Sequence, residues 1–368
     1  MTELQSTTVT RLASVRSLLT TEGRAAQPFH LRVGAAFATI AGLHAIGFAL
    51  LLVGLASSSL SAVTVGVAAF AYFRGLAHSF DFDHISMIDN STRKFVSEGR
   101  RPASVGLAFS AGHSTVVVLT GMLVIAGAGF IQVAIDESSG VARLLGVVGL
   151  SVSGLYLLLV AVANLAAFGA AWRLRRALRT NPGLVVSPDA LTPRGPAARL
   201  MTAPLRRVQH PRHIYVIGFL FSLGFDTSSQ IALLMVTSAA ALTGAPALPL
   251  LALPFLFAAA MTLGDTCNGL MMLRMYETAY ENPARKVNFN LLVTGVSIAS
   301  ALVVGLIALS TLMTETLGVG AGPLRALAAL DTQHAGYLLA LLFAVIGLAG
   351  LLLWRRSRDA TSGPPPGT

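Results

Sequence analysis

The sequence predicts an all-α, polytopic integral membrane protein with about eight transmembrane helices. Three observations support this fold class. Hydrophobic residues make up 54% of the 368-residue chain and charged residues only 11%, whereas a soluble domain carries about 25% charged residues. Several apolar runs reach the roughly 20 residues that cross a bilayer as a helix. These runs lack the alternation that is typical of a membrane β-barrel, so helices are the predicted elements.

The apolar runs, each ending where charged, Gly or Pro residues appear, divide the chain into five regions. We expect an N-terminal cytoplasmic tail over 1–31 and transmembrane helices 1–4 over 32–171. A basic cytoplasmic loop over 172–212 precedes transmembrane helices 5–8 over 213–353, and a disordered cytoplasmic tail is predicted over 354–368. The individual spans are predicted at about 33–56, 61–89, 104–128, 143–170, 213–242, 248–273, 289–312 and 333–353.

Arginine falls on alternate connections between these spans. The N-terminus, the connections after spans 2, 4 and 6, and the C-terminus are basic, and the intervening connections are nearly free of Arg and Lys. Because basic segments stay in the cytoplasm, both termini are predicted to be cytoplasmic. We therefore attribute the formal net charge of +10 to topology and to contact with the lipid bilayer, and not to nucleic-acid binding. One cysteine excludes a disulfide framework, and the polar first thirty residues do not suggest a cleaved signal peptide.

The stretch that carries chemistry is residues 78–84, near the end of the second predicted span. It contains two imidazoles, His78 and His84, and two carboxylates, Asp81 and Asp83. Ionisable groups inside a bilayer are costly and therefore indicate function. Imidazole with carboxylate is a ligand set for a divalent transition metal. The two imidazoles would point about 120° apart on a regular helix, so either the helix is broken or its members serve successive sites.

Helix rise places polar residues of other spans at a similar depth. We count about 1.5 Å per residue from the nearest basic residue on the cytoplasmic side; His84, for example, lies nine residues before Arg93. The resulting depths of about 14 to 21 Å fall near the midplane of a hydrocarbon core that is about 30 Å thick. We expect these residues to share one cation, because isolated ions there would cost several kcal/mol each. They are His44, His84, His113, Asp226 and Asp265.

Four segments together resemble the nickel–cobalt transporter family of secondary metal permeases. They cover spans two to six and are His78-x4-Asp83-His84, Gly112-His113-Ser114-Thr115, Leu223-Gly224-Phe225-Asp226-Thr227 and Gly264-Asp265-Thr266-x-Asn268-Gly269. The chain departs from the family pattern at three positions. It has Ala77 where the family usually has arginine, Gln230 in place of glutamate, and Asn268 in place of aspartate. The two lost carboxylates bear on metal preference and affinity.

The resemblance implies uptake of Ni²⁺, Co²⁺ or both, as transported substrate, across the cytoplasmic membrane of a prokaryote. It implies a multi-pass, potential-driven permease that is not an enzyme and has no cofactor, and it leaves the oligomeric state open. An efflux permease of the same superfamily is the alternative, and an intramembrane metal-dependent enzyme is a remote one, because such enzymes need several paired histidine boxes. The predicted metal-site residues are His78, Asp83, His84, His113, Asp81, Asp226, Asp265 and His44.

Overall fold

The computed structural model describes most of the predicted membrane region. The described residues are 23, 26–56, 65–127, 140–181, 208–224, 228–242, 246–278, 283–320, 322–330, 336–346 and 348–349. Almost all of them are helical, and none of them forms a strand. Most of the predicted N-terminal tail, most of the 172–212 loop and the C-terminal tail lie outside the described residues.

The helices are numbered here in chain order. Ser222–Gly224 adds a 3₁₀ turn after α6, and Leu312–Thr316 adds a π-helical stretch after α10. The helices are α1 (Phe29–Ala56), α2 (Val65–His78), α3 (Phe82–Ser97), α4 (Val105–Ile125), α5 (Gly140–Thr180), α6 (Pro211–Phe221), α7 (Ser228–Leu242), α8 (Ala247–Leu250), α9 (Ala252–Thr278), α10 (Pro283–Thr311), α11 (Pro323–Ala328) and α12 (Gly336–Ile346).

Five helical segments among the described residues are long and apolar enough to cross a membrane. They are α1, α4, most of α5, α8 together with α9, and α10. The predicted all-α, polytopic class is therefore confirmed. The count of eight spans and the cytoplasmic side of the termini remain predictions.

Two predicted spans are each divided into two shorter helices. The second, predicted as one run over about 61–89, becomes α2 and α3, with a break at residues 79–81. The fifth becomes α6 and α7. The break at residues 79–81 realises one of the two alternatives that the sequence left open.

Helix α3 also continues farther than the sequence suggested. It passes through Arg93 and ends only near Gly99, whose φ of 74° is the left-handed conformation in which glycine commonly stops a helix. Arg93 is 7% exposed; its guanidinium donates to Thr294 and lies over the ring of Tyr276. Arg93 therefore belongs to α3 and not to the basic loop to which the sequence assigned it, and the depth of about 14 Å counted from it for His84 stays a prediction.

Helix α9 is the central element of the bundle. It packs against α1, α2, α3 and α4, while α5 pairs with α10 and α6 packs on α4. Leu51, Ala68, Val117, Leu233 and Phe257 bring α1, α2, α4, α7 and α9 into one buried apolar cluster. The helices around α9 are therefore held on a common core.

Glycines set the closest helix crossings. A Cβ atom built on Gly106 of α4 would meet the Asp265 carbonyl oxygen of α9, and one built on Gly75 of α2 would meet the backbone of Phe257. Gly112 and Gly218 allow the same close approach between α4 and α6. Small residues at helix interfaces let backbones approach closely, as is common in membrane proteins.

An ion pair fastens the ends of these helices on the predicted cytoplasmic side. Arg101, between α3 and α4, donates to both carboxylate oxygens of Glu277 in α9, at 2.5 and 3.0 Å. These hydrogen bonds raise the pKa of Arg101. Arg32 of α1 donates to the Arg101 carbonyl at 3.0 Å, so α1 joins the same contact.

Candidate metal site

The break between α2 and α3 brings two histidines together. Helix α2 ends at His78, a turn follows, and Asp81 takes an extended backbone conformation before α3. This turn packs against α9. Gly264 of α9 has no side chain and so leaves room for Ser79, and Asn268 Nδ2 donates to the Ser79 carbonyl oxygen at 3.0 Å. That bond satisfies a carbonyl which the interrupted helix leaves without an intrahelical partner.

Three imidazoles, from His78, His84 and His113, form the centre of the site. Their ring centroids lie 4.5 Å apart for His78 and His84, 4.9 Å for His78 and His113, and 4.7 Å for His84 and His113. All three side chains are buried, and Phe109 and Phe257 pack against them. Among the described residues this is the one group of three potential ligands found close enough to hold a metal ion. We call it the histidine triad.

The nitrogen atoms of the histidine triad suit a single ion after a small contraction. One ligand atom from each residue can be chosen so that all three lie within 4.8 Å of one another, and the His78 and His113 Nε2 atoms are 3.0 Å apart. Bonds of about 2.0–2.1 Å, as in zinc–imidazole sites, keep two ligand nitrogens at most about 4.2 Å apart. A movement on the order of 1 Å or less would therefore close the triad around a first-row dication.

Two of these rings each have a carboxylate oxygen within hydrogen-bond distance of their Nδ1 atom. Asp81 Oδ2 lies 2.6 Å from His78 Nδ1, and Asp265 Oδ2 lies 3.2 Å from His84 Nδ1. A carboxylate at Nδ1 fixes the hydrogen there and leaves Nε2 with its lone pair toward the ion. His84 Nε2 is buried and has no hydrogen-bond partner within the described part of the chain, as expected of an atom that awaits a ligand.

The remaining predicted residues are Asp83, His44 and Asp226. Asp83 is partly exposed beside the triad, and its Oδ1 accepts from the His84 backbone N–H at 2.9 Å. His44 on α1 lies elsewhere: its Nδ1 is 2.9 Å from the Ile40 carbonyl oxygen and its Nε2 3.2 Å from the Tyr72 hydroxyl. Asp226 lies outside the described residues. The roles predicted for these three residues stay predictions.

Comparison with known proteins identifies the family of this chain. Residues 64–353 match the family model described as "NicO: High-affinity nickel-transport protein". The chain belongs to the NicO family. The match spans the histidine triad and both carboxylates behind it, so the resemblance noted in four short motifs extends over most of the chain. The members are transporters, and the expectation that this chain is not an enzyme is confirmed.

Curated relatives cover most of the chain. The nickel transporter NicT of Mycobacterium tuberculosis is 38% identical over 333 residues, which cover 89% of this chain and 90% of the relative. The high-affinity nickel-transport protein NixA of Helicobacter pylori is 38% identical over 87% of this chain and 96% of its own length. The cobalt transport protein NhlF of Rhodococcus rhodochrous is 35% identical over 74% and 78%, respectively. No solved structure matches the chain significantly.

This NicO protein has a second buried polar cluster, and the sequence analysis did not predict that its residues come together. Asp89, on α3 beyond the triad, accepts from the hydroxyls of Tyr276 on α9 and Ser297 on α10. Arg93 lies nearby over the Tyr276 ring, and all of these side chains are buried. The proximity of Asp89 to Arg93 in the sequence was the available signal, but Arg93 was assigned to a basic loop and not to the helix that carries Asp89.

The Asn268 contact gives a stability prediction. Asn268→Leu removes the donor to the Ser79 carbonyl, and we expect a loss of about 1–3 kcal/mol in the free energy of unfolding because that carbonyl stays buried without this partner. Thermal unfolding of the detergent-purified protein measures the effect. Cys267→Ala is the matched control, since its side chain is exposed one residue away. Equal melting temperatures for the two variants would contradict this role of Asn268.

Proposed function

We propose that this protein takes up Ni²⁺, Co²⁺ or both across the cytoplasmic membrane, through a site centred on the histidine triad. The observation that carries the proposal is the convergence of His78, His84 and His113, from three different helices, at a buried point with two carboxylates behind the rings. Relatives at 35–38% identity are named nickel or cobalt transporters. In our proposal both termini lie in the cytoplasm and the eight predicted spans cross the membrane.

The ligand chemistry favours these ions over more abundant ones. Imidazole nitrogen suits nickel, cobalt, copper and zinc, whereas Mg²⁺ and Ca²⁺ prefer cages of oxygen ligands. Copper and zinc bind such ligands at least comparably well, so geometry must discriminate against them. The buried triad between Phe109 and Phe257 offers a fixed and narrow set of nitrogens for that purpose.

Exposure along the site indicates how an ion could enter. The Asp81 side chain is 22% exposed, whereas the side chains of His78 and His84 are 0% exposed. In our proposal a hydrated ion first meets Asp81 and Asp83 and exchanges water for imidazole nitrogen as it moves inward. In our proposal His44 and Asp226 also contribute to the path of the ion.

The membrane potential is a sufficient driving force. Each elementary charge gains about 2.3 kcal/mol per 100 mV, so a dication gains about 4.6 kcal/mol. Since 1.4 kcal/mol corresponds to a factor of ten, this supports accumulation of roughly a thousandfold or more. The mechanism we propose is therefore secondary transport down the electrical gradient.

Radiolabelled metal uptake tests the proposal. Cells that express the wild-type protein are expected to accumulate ⁶³Ni²⁺ or ⁵⁷Co²⁺ above an empty-vector control, and excess Mg²⁺ is expected not to compete. Accumulation of neither ion would refute the proposal. The direction is tested in the source organism by deleting the gene: cellular metal falls if the protein is an importer and rises if it is an exporter.

Asp81→Asn provides a test of the carboxylate behind His78. The change keeps the shape of the side chain but removes the charge that fixes the His78 ring, and we expect nickel uptake to fall by about 10- to 100-fold. Glu98→Gln is the control, because Glu98 is an exposed acid at the end of α3, away from the triad. Uptake by Asp81→Asn equal to that by Glu98→Gln would remove Asp81 from the site.

A further inference from the structure

Three arginines from different parts of the chain surround one aromatic ring, at the end of the bundle that is predicted to face the cytoplasm. The Cζ atoms of Arg32, Arg101 and Arg274 lie 5.6, 4.4 and 5.8 Å, respectively, from the centroid of the Phe29 ring. These arginines come from α1, from the connection between α3 and α4, and from the last part of α9. We call the three residues the arginine cluster.

The charge of Arg32 is not matched by the carboxylate of this cluster. Glu277 accepts two hydrogen bonds from Arg101, at 2.5 and 3.0 Å, and one of its oxygens lies 3.5 Å from Arg274 Nη1. Arg32 donates instead to a neutral acceptor, the Arg101 carbonyl oxygen, and its Nε atom is buried without a hydrogen-bond partner in the described part of the chain. Charges of the same sign repel each other at close range, so an anion beside Arg32 would stabilise this arrangement.

The arginine cluster lies where the apolar parts of the helices end. No acidic residue, Lys or Arg follows Arg32 within α1, and none occurs within α4. The Arg101 side chain is 50% exposed and that of Arg274 is 69% exposed. Because the polar headgroups of a bilayer begin where its hydrocarbon core ends, these guanidinium groups lie at the level of the lipid phosphates.

The chemistry of guanidinium favours a phosphate group as the ligand. Its planar arrangement of N–H donors matches two oxygens of one phosphate, and basic pockets between transmembrane helices on the cytoplasmic side bind anionic headgroups. A phospholipid also brings acyl chains, and α1 exposes apolar side chains next to the cluster, including Leu31 and Phe37. A lipid therefore gains apolar contacts here that free phosphate lacks.

We propose that the arginine cluster binds the phosphate of an anionic phospholipid. The bound headgroup bridges α1 to α9, because Arg32 belongs to α1 and Arg274 to α9. Since α9 also carries Asp265, which lies against His84, this lipid helps to hold in place the helix on which the histidine triad is packed. The inference goes beyond the proposed function and does not depend on which ion is transported.

Lipid titration of the purified full-length protein tests the inference. Native mass spectrometry in detergent measures the affinity of the first bound phosphatidylglycerol, and phosphatidylcholine, which has no net charge, is the comparison lipid. We expect the wild type to bind phosphatidylglycerol about fivefold or more tightly than phosphatidylcholine. Arg32→Gln/Arg274→Gln should weaken phosphatidylglycerol binding about 25-fold, because each basic residue at an anionic membrane surface contributes about fivefold.

Arg173→Gln/Arg176→Gln is the matched control. These two exposed arginines lie on the last turns of α5, which packs there against the start of α10, the helix that follows α9 in the chain. The control removes the same charge from the same end of the bundle, and its affinity for phosphatidylglycerol should stay close to that of the wild type. Melting temperatures report folding. If the first double variant does not fold, Arg274→Gln alone should still bind about fivefold more weakly.

Three results would overturn the inference. Equal affinity of the wild type for the two lipids would show that the cluster does not select negative charge. An equal loss of affinity in the two double variants would assign binding to general surface charge. Complete displacement of phosphatidylglycerol by excess inorganic phosphate would identify a site for free phosphate and not for a lipid. None of these titrations requires transport, so their outcome is independent of the proposed function.

Discussion

His84→Ala is expected to reduce nickel and cobalt uptake by roughly 100-fold or more, to the level of cells without the transporter. His84 lies within 4.7 Å, between ring centroids, of both other members of the triad, and its unpartnered Nε2 is the atom best placed to bind an incoming ion. Loss of residues that only orient metal ligands already costs 10- to 100-fold, so loss of a ligand should cost at least as much. Initial rates of ⁶³Ni²⁺ uptake measure the effect.

The same substitution also removes packing, so it needs controls. The His84 ring lies 4.9 Å from the Phe109 ring, and truncation leaves a cavity and an uncompensated Asp265. Immunoblots of membranes and the melting temperature of the purified protein report whether His84→Ala still folds. His30→Ala removes an exposed histidine at the start of α1 and should keep full uptake. Normal uptake by a folded His84→Ala protein would exclude the triad as the metal site.

Gly106→Ala is expected to destabilise the protein and to weaken transport. The added methyl group would meet the Asp265 carbonyl oxygen and the Thr266 Cα atom, which belong to the backbone of α9 and cannot move alone. Overpacking of this kind costs about 1–3 kcal/mol and occasionally more. Because Asp265 also holds His84, separation of α4 from α9 should disturb the site. A lower melting temperature and reduced uptake per folded molecule are the expected measurements.

Gly42→Ala provides the matched control for this substitution. Gly42 lies in the exposed part of α1, and a Cβ atom there would meet nothing within 4 Å. Alanine is a better helix former than glycine by up to about 1 kcal/mol, so this change should be neutral or slightly stabilising. If Gly106→Ala and Gly42→Ala melt at the same temperature, the close crossing of α4 and α9 is not required for stability.

Counting residues along helices led to the expectation that His84, His113 and Asp265 lie close together, and their role in metal binding stays a prediction. These residues come from α3, α4 and the distant α9, and the structure brings them together. His44 was assigned a similar depth but instead contacts Tyr72. Rise along a helix gives a height in the membrane, whereas the direction of a side chain depends on how each helix is rotated and packed, which a count of residues does not contain.

Other features of the site depend on tertiary contacts. The residues from 78 to 84 permitted either a continuous or a broken helix, and the contacts of Gly264 and Asn268 with Ser79 accompany the break. Gln230 was noted in the sequence only as a departure from the usual family pattern.

The contacts of α9 also have a consequence for ion discrimination. Asn268 bonds to Ser79 on one side of the interruption, and Asp265, one turn away on the same helix, holds His84 on the other side. The spacing of His78 and His84 is thereby tied to a regular α-helix, and not only to the five residues that lie between them. Metal-binding nitrogen atoms whose positions are fixed by a rigid helix adapt poorly to ions of different radius. We therefore expect the preference for nickel or cobalt to change with buried substitutions along α9 that do not contact the ion.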